Sequence, residues 1–358
     1  MGRQHLSLLM AVGCWDGRLD CEPMTGDSAE RNRVRTPQRR PLDVEAVVRG
    51  LHAAGYSHVD ISAQTGSTNT DLAERVKNTD RDGTTVKDMT VLLTEEQTAG
   101  RGRLGRPWTA PAHSQVIFSV LLQLKDVPPA KLGLLPLLTG LAVANGVRKA
   151  TAPDGDSGRP GFVPAELKWP NDVLVNGKKL AGILVEAVSV DPHPTVIIGC
   201  GVNFDLTAEE LPVAHATSIV REAAAEGSTA GGGDTEGGGR HGEAPISPTR
   251  EDATIAILGE LAAELKRWRG LGGAAQTILP RYRTLCATVG SSVRVYLPGD
   301  RELLGSAVDV SEGGDLIVRD DHGQKRTVSA GDVTHVRPGE AEWSYGQSGK
   351  DPREDSQG

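Results

Sequence analysis

AELKWPNDVLVNGKKLAGILVEAV, residues 165–188, is the stretch from which the fold can be read. Its two apolar runs, 173–175 and 180–188, flank Asn176-Gly177, a pair that accepts the positive φ angles of a type I′ turn. The spacing predicts a β-hairpin. Just ahead of it, Pro170 has no N–H to give a ladder, so Asn171 and Asp172 project from a fixed bend between Lys168 and Lys179. Such a bend could serve a nucleotide. Asp172 would hold Mg²⁺ against a triphosphate, and Lys168 or Lys179 would meet charge developing on the α-phosphate. The alternative is a structural turn with surface lysines.

Outward from the hairpin the pattern alternates between periods. Val44, Val47, Val48 and Leu51 recur at helical spacing, with Asp43 placed to cap the helix and Gly55 to end it. A short strand at 59–61 leads into Ser67-Thr68-Asn69, where a second helix begins with Leu72, Ala73 and Val76 as its buried side. These three residues read either as capping groups or as hydroxyl and amide partners for a polar ligand head beside a positive helix end. Strands are predicted at 90–94 and 116–124, and an apolar helix at 134–149 that tolerates Pro136 in its first turn. A strand at 195–198 ends at GCGVNF, 199–204, whose glycines permit close backbone approach by a ligand hydrogen-bonded to Asn203. Another helix covers 252–269. Between 288 and 337 short β-type runs alternate with turn residues, as in a small closed barrel. Without a βαβαβ rhythm, the class is α+β, a mixed sheet with helices. The expected organisation is a disordered leader over 1–40, a catalytic domain over 41–285 with a disordered Gly-rich insertion at 222–248, a barrel over 286–338 and a disordered tail over 339–358.

The composition narrows the function. A net charge of −8 argues against nucleic acid as the main partner, despite a basic run ending in Arg39 and Arg40. Cysteines 14, 21, 200 and 286 show neither CxxC nor zinc spacing and read as unpaired thiols of a cytoplasmic protein. No stretch reads as long and apolar enough to span a membrane.

GRGRLGRPW, residues 100–108, satisfies G-x-G-x-x-G by letter only. A dinucleotide fingerprint needs a helix to open at the loop, and Arg106-Pro107-Trp108 cannot open one. No Walker A lysine is present. What remains is a basic, Gly-rich loop whose Arg101, Arg103 and Arg106 could bind phosphate oxygens bidentately, or simply face water.

Taken in order, Ser67-Thr68-Asn69, GRGRLGR (100–106), KWPND (168–172), KLAGILVE (179–186) and GCGVNF (199–204) resemble the biotin protein ligases, from about Asp60 into the C-terminal barrel. The resemblance implies a mixed sheet akin to class II aminoacyl-tRNA synthetase catalytic domains, followed by a small SH3-like barrel. It also implies activation of biotin by ATP and Mg²⁺ to biotinyl-5′-AMP, then transfer to a lysine in the biotin-carrier domain of an acyl-CoA or pyruvate carboxylase. Ser67, Thr68, Gln97 and Arg101 would surround the ureido head, with Asn69, Gly100 and Gly182 completing the biotin site. Arg103 would contact the acyl-phosphate region, and Lys179 would contact the biotin carboxyl and the α-phosphate. Asp172 would carry the metal, and Arg106, Trp108, Lys168, Asn171 and Asn203 would flank the nucleotide.

Two features depart from the family pattern. Leu104 stands where many members carry a second loop arginine, and only one helix fits ahead of the first motif, too few for a winged helix-turn-helix. The expectation is therefore the monofunctional branch, with no DNA and no membrane partner. Alternatives left open are a lipoate or octanoate ligase on the same fold, a biotin-responsive DNA-binding regulator, and a protein that binds biotin without transferring it.

Overall fold

The computed structural model describes residues 39–82, 86–152, 154–158, 160–229, 248–297, 301–329 and 332–335. The leader up to residue 38, the core of the Gly-rich insertion (230–247) and the tail from 336 lie outside the described residues.

A seven-stranded sheet forms the frame. Its strands are β1 (His58–Ser62), β2 (Thr90–Thr94), β3 (Gln115–Gln123), β4 (Glu166–Lys168), β5 (Asp172–Val175), β6 (Lys178–Ser189) and β7 (Thr195–Asn203). They lie in the order β1-β2-β3-β7-β6-β5-β4, with β1 and β2 parallel and the other neighbours antiparallel. The hairpin turn read from Asn176-Gly177 takes the expected positive φ at both residues, 50° and 73°.

Alternation along the strands assigns the two faces. Val91, Leu93, Phe118, Val120, Val196 and Ile198 belong to the large core. That core also holds buried residues of α1 (Val44–Ala54), α3 (Leu135–Thr151) and α5 (Arg250–Arg269). Asp43 caps α1 through Ala46 N–H, and a Thr249/Asp252 capping box starts α5. The residues between, Leu92, Leu121 and Ile197, meet Leu72 of α2 (Thr68–Asp82) on the opposite face. Because α2 is the helix packed there, part of that second face stays uncovered, and the cavity described below lies on it.

Past α6 (Leu279–Leu285), five antiparallel strands form the C-terminal unit of small SH3-like barrel size. They are β8 (Ser292–Leu297), β9 (Arg301–Val310), β10 (Leu316–Arg319), β11 (Lys325–Val328) and β12 (Asp332–His335). Trp169 joins the two sheets. Its indole N–H donates to Gly314 O at 2.9 Å and its backbone N–H to Thr288 Oγ1 at 3.1 Å.

Four sequence expectations need correction. Residues 222–229 are not insertion but part of α4 (Ile219–Thr229); Glu222 is buried and accepts from Thr217 Oγ1 at 2.5 Å and Asn176 Nδ2 at 3.0 Å. Ile219 and Ala223 of this helix are buried in the large core, and the polar bonds of Glu222 fix it from the side. The folded region already includes Arg39 and Arg40, paired with Glu210 at 2.5 Å and Glu251 at 3.0 Å. Strand β7 does not end at Gly199 but runs to Asn203, because β3 and β6 pair with it on both sides across the glycines. The run Pro129–Thr151 is long and apolar enough to cross a membrane, yet most of its apolar stretch is buried inside the protein as core helix.

Candidate active site

A cavity of about 400 Å³, within the range for a small-molecule site, opens on the face that α2 leaves uncovered. Its floor is built from cross-strand rows. Gly199 and Leu184 stand side by side on β7 and β6, with Ser119 of β3 paired to Gly199 but outside the lining, and Ile117, Gly201 and Gly182 form the next row. The glycines are required by what lies on them. A Cβ at Gly199 would stand 2.2 Å from Asn69 Oδ1, and one at Gly201 would stand 2.1 Å from Trp108 Nε1. Lys179 Nζ sits over the Trp108 ring, 5.6 Å from its centre.

One end of the cavity is polar and buried. Thr68, Asn69 and Gln97 are 2%, 5% and 9% exposed. Gln97 Oε1 accepts from the backbone N–H of Thr68 at 3.0 Å and lies 3.1 Å from the Thr68 hydroxyl oxygen. The first N–H of α2 is thus satisfied by a side chain from the β2 end, and Ser67, also buried, is left facing the cavity. Asn69 Nδ2 donates to Glu186 Oε2 at 2.7 Å.

The Gly-Arg loop closes over this end as a small hairpin. Trp108 N–H donates to Gly100 O at 2.8 Å and Gly102 N–H to Arg106 O at 2.7 Å. A single 3-10 turn, Arg103–Gly105, forms its tip, where Leu104 adopts φ 56° and is 78% exposed. Arg101 Nη2 reaches Thr70 Oγ1 at 3.0 Å, and Arg103 Nη1 reaches Asn171 Oδ1 at 3.0 Å. Asn171 in turn donates to Ile183 O at 3.0 Å, so the loop is tied to the KWPND bend and to β6.

The other end is charged. Lys179 Nζ lies 2.7 Å from Asp172 Oδ1, with the two side chains 28% and 19% exposed. Arg101, Arg103, Arg106 and Lys179 line the cavity against one carboxylate, Asp172, a local excess of positive charge in a chain of −8. Among the described residues no cluster of three or more His, Cys, Asp or Glu side chains could hold a metal by itself. Cys200 lies under the floor, and burial pushes its thiol far up, so it stays protonated and is no nucleophile.

Of the residues singled out from sequence, Ser67, Thr68, Asn69, Gln97, Arg101 and Arg103 line the cavity together with Arg106, Trp108, Asn171, Asp172, Lys179, Gly182 and Asn203. Gly100 and Lys168 do not. Gly100 sits behind the loop, where a Cβ would strike Trp108 O at 2.2 Å. Lys168 acts instead on His335 of the barrel, whose imidazole is held below its usual range by burial and by that positive charge. Asn203 lines the wall, but both ends of its amide are engaged within the fold, accepting from Gln115 Nε2 at 2.7 Å and donating to Thr217 O at 2.9 Å. Sequence reasoning missed Ser119, fully buried and bonded to Thr68 and Asn69; its signal was a lone hydroxyl inside the apolar run of β3. His215 at the rim carried no signal.

The fold and site together define a ligase-type catalytic domain with an appended C-terminal sheet, and comparison with known proteins agrees. The Biotin/lipoate A/B protein ligase family matches residues 62–203, and the Biotin protein ligase C terminal domain matches 288–336. Biotin–[acetyl-CoA-carboxylase] ligase of Mycobacterium tuberculosis is 38% identical over 311 residues, covering 86% of this chain and 99% of that protein. The bifunctional ligase/repressor BirA of Escherichia coli is 28% identical over 230 residues, 64% of this chain and 61% of that protein. In fold, the chain is similar to the biotin protein ligase from Aquifex aeolicus solved in complex with biotin and ATP, with TM-score 0.58 and 24% identity over 79% of this chain and all of that one. The chain belongs to the biotin protein ligase family.

Proposed function

We propose that this enzyme activates biotin with ATP and transfers it to a lysine of a carboxylase biotin-carrier domain, acting in the cytoplasm. The observation that carries the reading is the convergence of five separated sequence motifs on one cavity, polar and buried at one end and cationic at the other. The biotin ureido head sits among Ser67, Thr68, Asn69, Gln97 and Arg101, with the acyl chain over Gly182 and the loop from Gly100 closing above. Its carboxylate reaches Lys179, beside which the ATP α-phosphate is placed by Arg103, and Arg106, Trp108, Asn171 and Asn203 flank the nucleotide.

A carboxylate oxygen of biotin attacks the α-phosphorus and pyrophosphate leaves. The ammonium of Lys179 and the guanidinium of Arg103 stabilise charge growing on the phosphoryl oxygens, so catalysis is positioning plus electrostatics. The Gly-Arg loop keeps water from the mixed anhydride. A neutral lysine amine of the acceptor then attacks the carbonyl carbon, the C–O bond to phosphate breaks with its electrons going to AMP, and the amine releases its proton. Asp172 offers one carboxylate, which suits Mg²⁺ held mainly by phosphate oxygens and water, the usual arrangement for nucleotide Mg²⁺. When bound, that ion supplies charge neutralisation on the phosphates.

The test is biotin-dependent ATP–pyrophosphate exchange, with lipoate and octanoate alongside. Exchange with biotin is the expected result; exchange with lipoate instead would keep the fold and overturn the substrate. Binding of biotin without exchange would make the chain a binding protein.

A further inference from the structure

The buried end of the cavity holds a chain of polar groups that is one hydrogen short, and we propose that Glu186 sets this shortage and thereby selects a ligand head that brings its own N–H donor. The inference rests on the reading of the site given above, and it makes Glu186 a positioning residue for specificity.

The assignment follows from counting hydrogens. Asn69 Nδ2 faces Glu186 Oε2 at 2.7 Å and Leu184 O at 3.4 Å, and both of these only accept. The amide oxygen of Asn69 must therefore face inward, 2.5 Å from Ser119 Oγ. Ser119 has a single hydroxyl hydrogen, and Asn69 Oδ1 claims it. Thr68 Oγ1, 2.7 Å from Ser119 Oγ, must then donate to Ser119. Nothing is left for the contact between Thr68 Oγ1 and Gln97 Oε1 at 3.1 Å, and Gln97 cannot turn over, because its oxygen accepts Thr68 N–H at 3.0 Å. Three oxygen–oxygen contacts share two hydrogens. Any other assignment bares one of the shorter contacts.

Ser119, Thr68, Asn69 and Gln97 are 0%, 2%, 5% and 9% exposed, so the open contact can be filled only by a donor that enters through the cavity. Thr68 and Gln97 line the cavity, whereas Ser119 does not. A ligand N–H delivered between Thr68 Oγ1 and Gln97 Oε1 fills the open contact. A cyclic urea carries such donors; a dithiolane or a saturated acyl chain carries none. Sites that require a hydrogen-bonding partner reject ligands lacking it far more strongly than apolar pockets reject a wrong shape.

Glu186→Gln tests the polarity directly. The new amide can donate to Asn69 Oδ1, so Asn69 turns over and its NH₂ donates to Ser119, Ser119 to Thr68, and Thr68 to Gln97. All three contacts are then filled, and a ligand N–H meets no open acceptor. Measured by pyrophosphate exchange, the ratio of kcat/KM for biotin to that for lipoate should fall about 10–100-fold in Glu186→Gln, carried by a higher KM for biotin at nearly unchanged kcat. Glu186→Asp keeps a carboxylate that only accepts and should keep the wild-type ratio. Ser119→Ala frees the Thr68 hydroxyl for Gln97 and should lose the ratio as Glu186→Gln does, although it leaves the 3.9 Å contact of Arg101 with Glu186 in place. An unchanged ratio in Glu186→Gln, or Glu186→Asp falling as far as Glu186→Gln, overturns the proposal. Wild-type protein without biotin-dependent exchange overturns the reading of the site and the proposal with it; wild-type protein that discriminates, with Glu186→Gln discriminating equally, overturns the proposal alone.

Discussion

Lys179→Ala is the substitution on which the proposed chemistry stands or falls. The ammonium lies 2.7 Å from Asp172 Oδ1 and 5.6 Å from the centre of the Trp108 ring. With the two charged side chains 28% and 19% exposed, the pair is partly solvated, and its loss should cost about 1 kcal/mol of stability. Loss of a preorganised contact to the developing α-phosphate charge is larger, about 3–4 kcal/mol in the transition state, or roughly 10²–10³ in rate. The two effects are therefore separable. Single-turnover formation of biotinyl-5′-AMP at saturating biotin and ATP should slow by that factor, while the thermal midpoint shifts by only a few degrees. Lys179→Met keeps the stem over Gly182, where a Cβ would lie 3.5 Å from Lys179 Nζ, and should lose as much rate with less stability change. Adenylation within about threefold of wild type from either folded variant would remove Lys179 from the mechanism. A lost midpoint in both would make it structural instead.

Gly201→Ala would place a Cβ 2.1 Å from Trp108 Nε1 and push the indole off the floor, so KM for ATP should rise about tenfold while biotin affinity by calorimetry changes little. Trp169→Phe removes the 2.9 Å bond to Gly314 O and leaves that carbonyl buried at the junction; denaturant unfolding should show a loss of about 1–2 kcal/mol. Glu210, hydrogen-bonded by Arg39, has its carboxyl lowered from 4.5 to about 2. A depressed folded-state value gives stability that is complete above 4.5 and is lost as pH falls from 4.5 towards 2. Arg39→Ala should accordingly flatten the acid limb of the stability–pH curve over that interval, and an unchanged limb would show that the pair contributes nothing.

How far the sequence could be read depended on the kind of signal. The elements of the sheet were legible because alternation and turn chemistry are local: Asn176-Gly177 specifies its own turn, and the strand at 90–94 reads as a uniform β-branched and leucine run. The boundary at residue 222 was not legible, because only Ile219 and Ala223 of α4 enter the core and Glu222 is held by Thr217 and Asn176, partners that no periodicity reveals. Trp169 was visible only as part of a bend, and its bond to Gly314 crosses 145 residues.

The site divides in the same way. Cationic side chains in a Gly-rich loop advertise themselves, and most of the residues they drew attention to do line one cavity. Lys168 failed because its side chain is committed by the strand β4 to which it belongs, and the charge it exerts falls on His335 in the barrel. The floor is harder, since it is made of what is missing: Gly199, Gly201 and Gly182 matter through the Asn69 amide and the Trp108 indole that occupy the space of their absent side chains. Hydrogen-bond direction is harder still. Ser119, Thr68, Asn69 and Gln97 are four unremarkable polar residues in sequence, and only their mutual distances, together with a carboxylate that can do nothing but accept, show that the chain they form lacks one hydrogen. Selectivity for a donor-bearing head would then reside in a deficit shared by five side chains, a property that belongs to no single residue and leaves no motif.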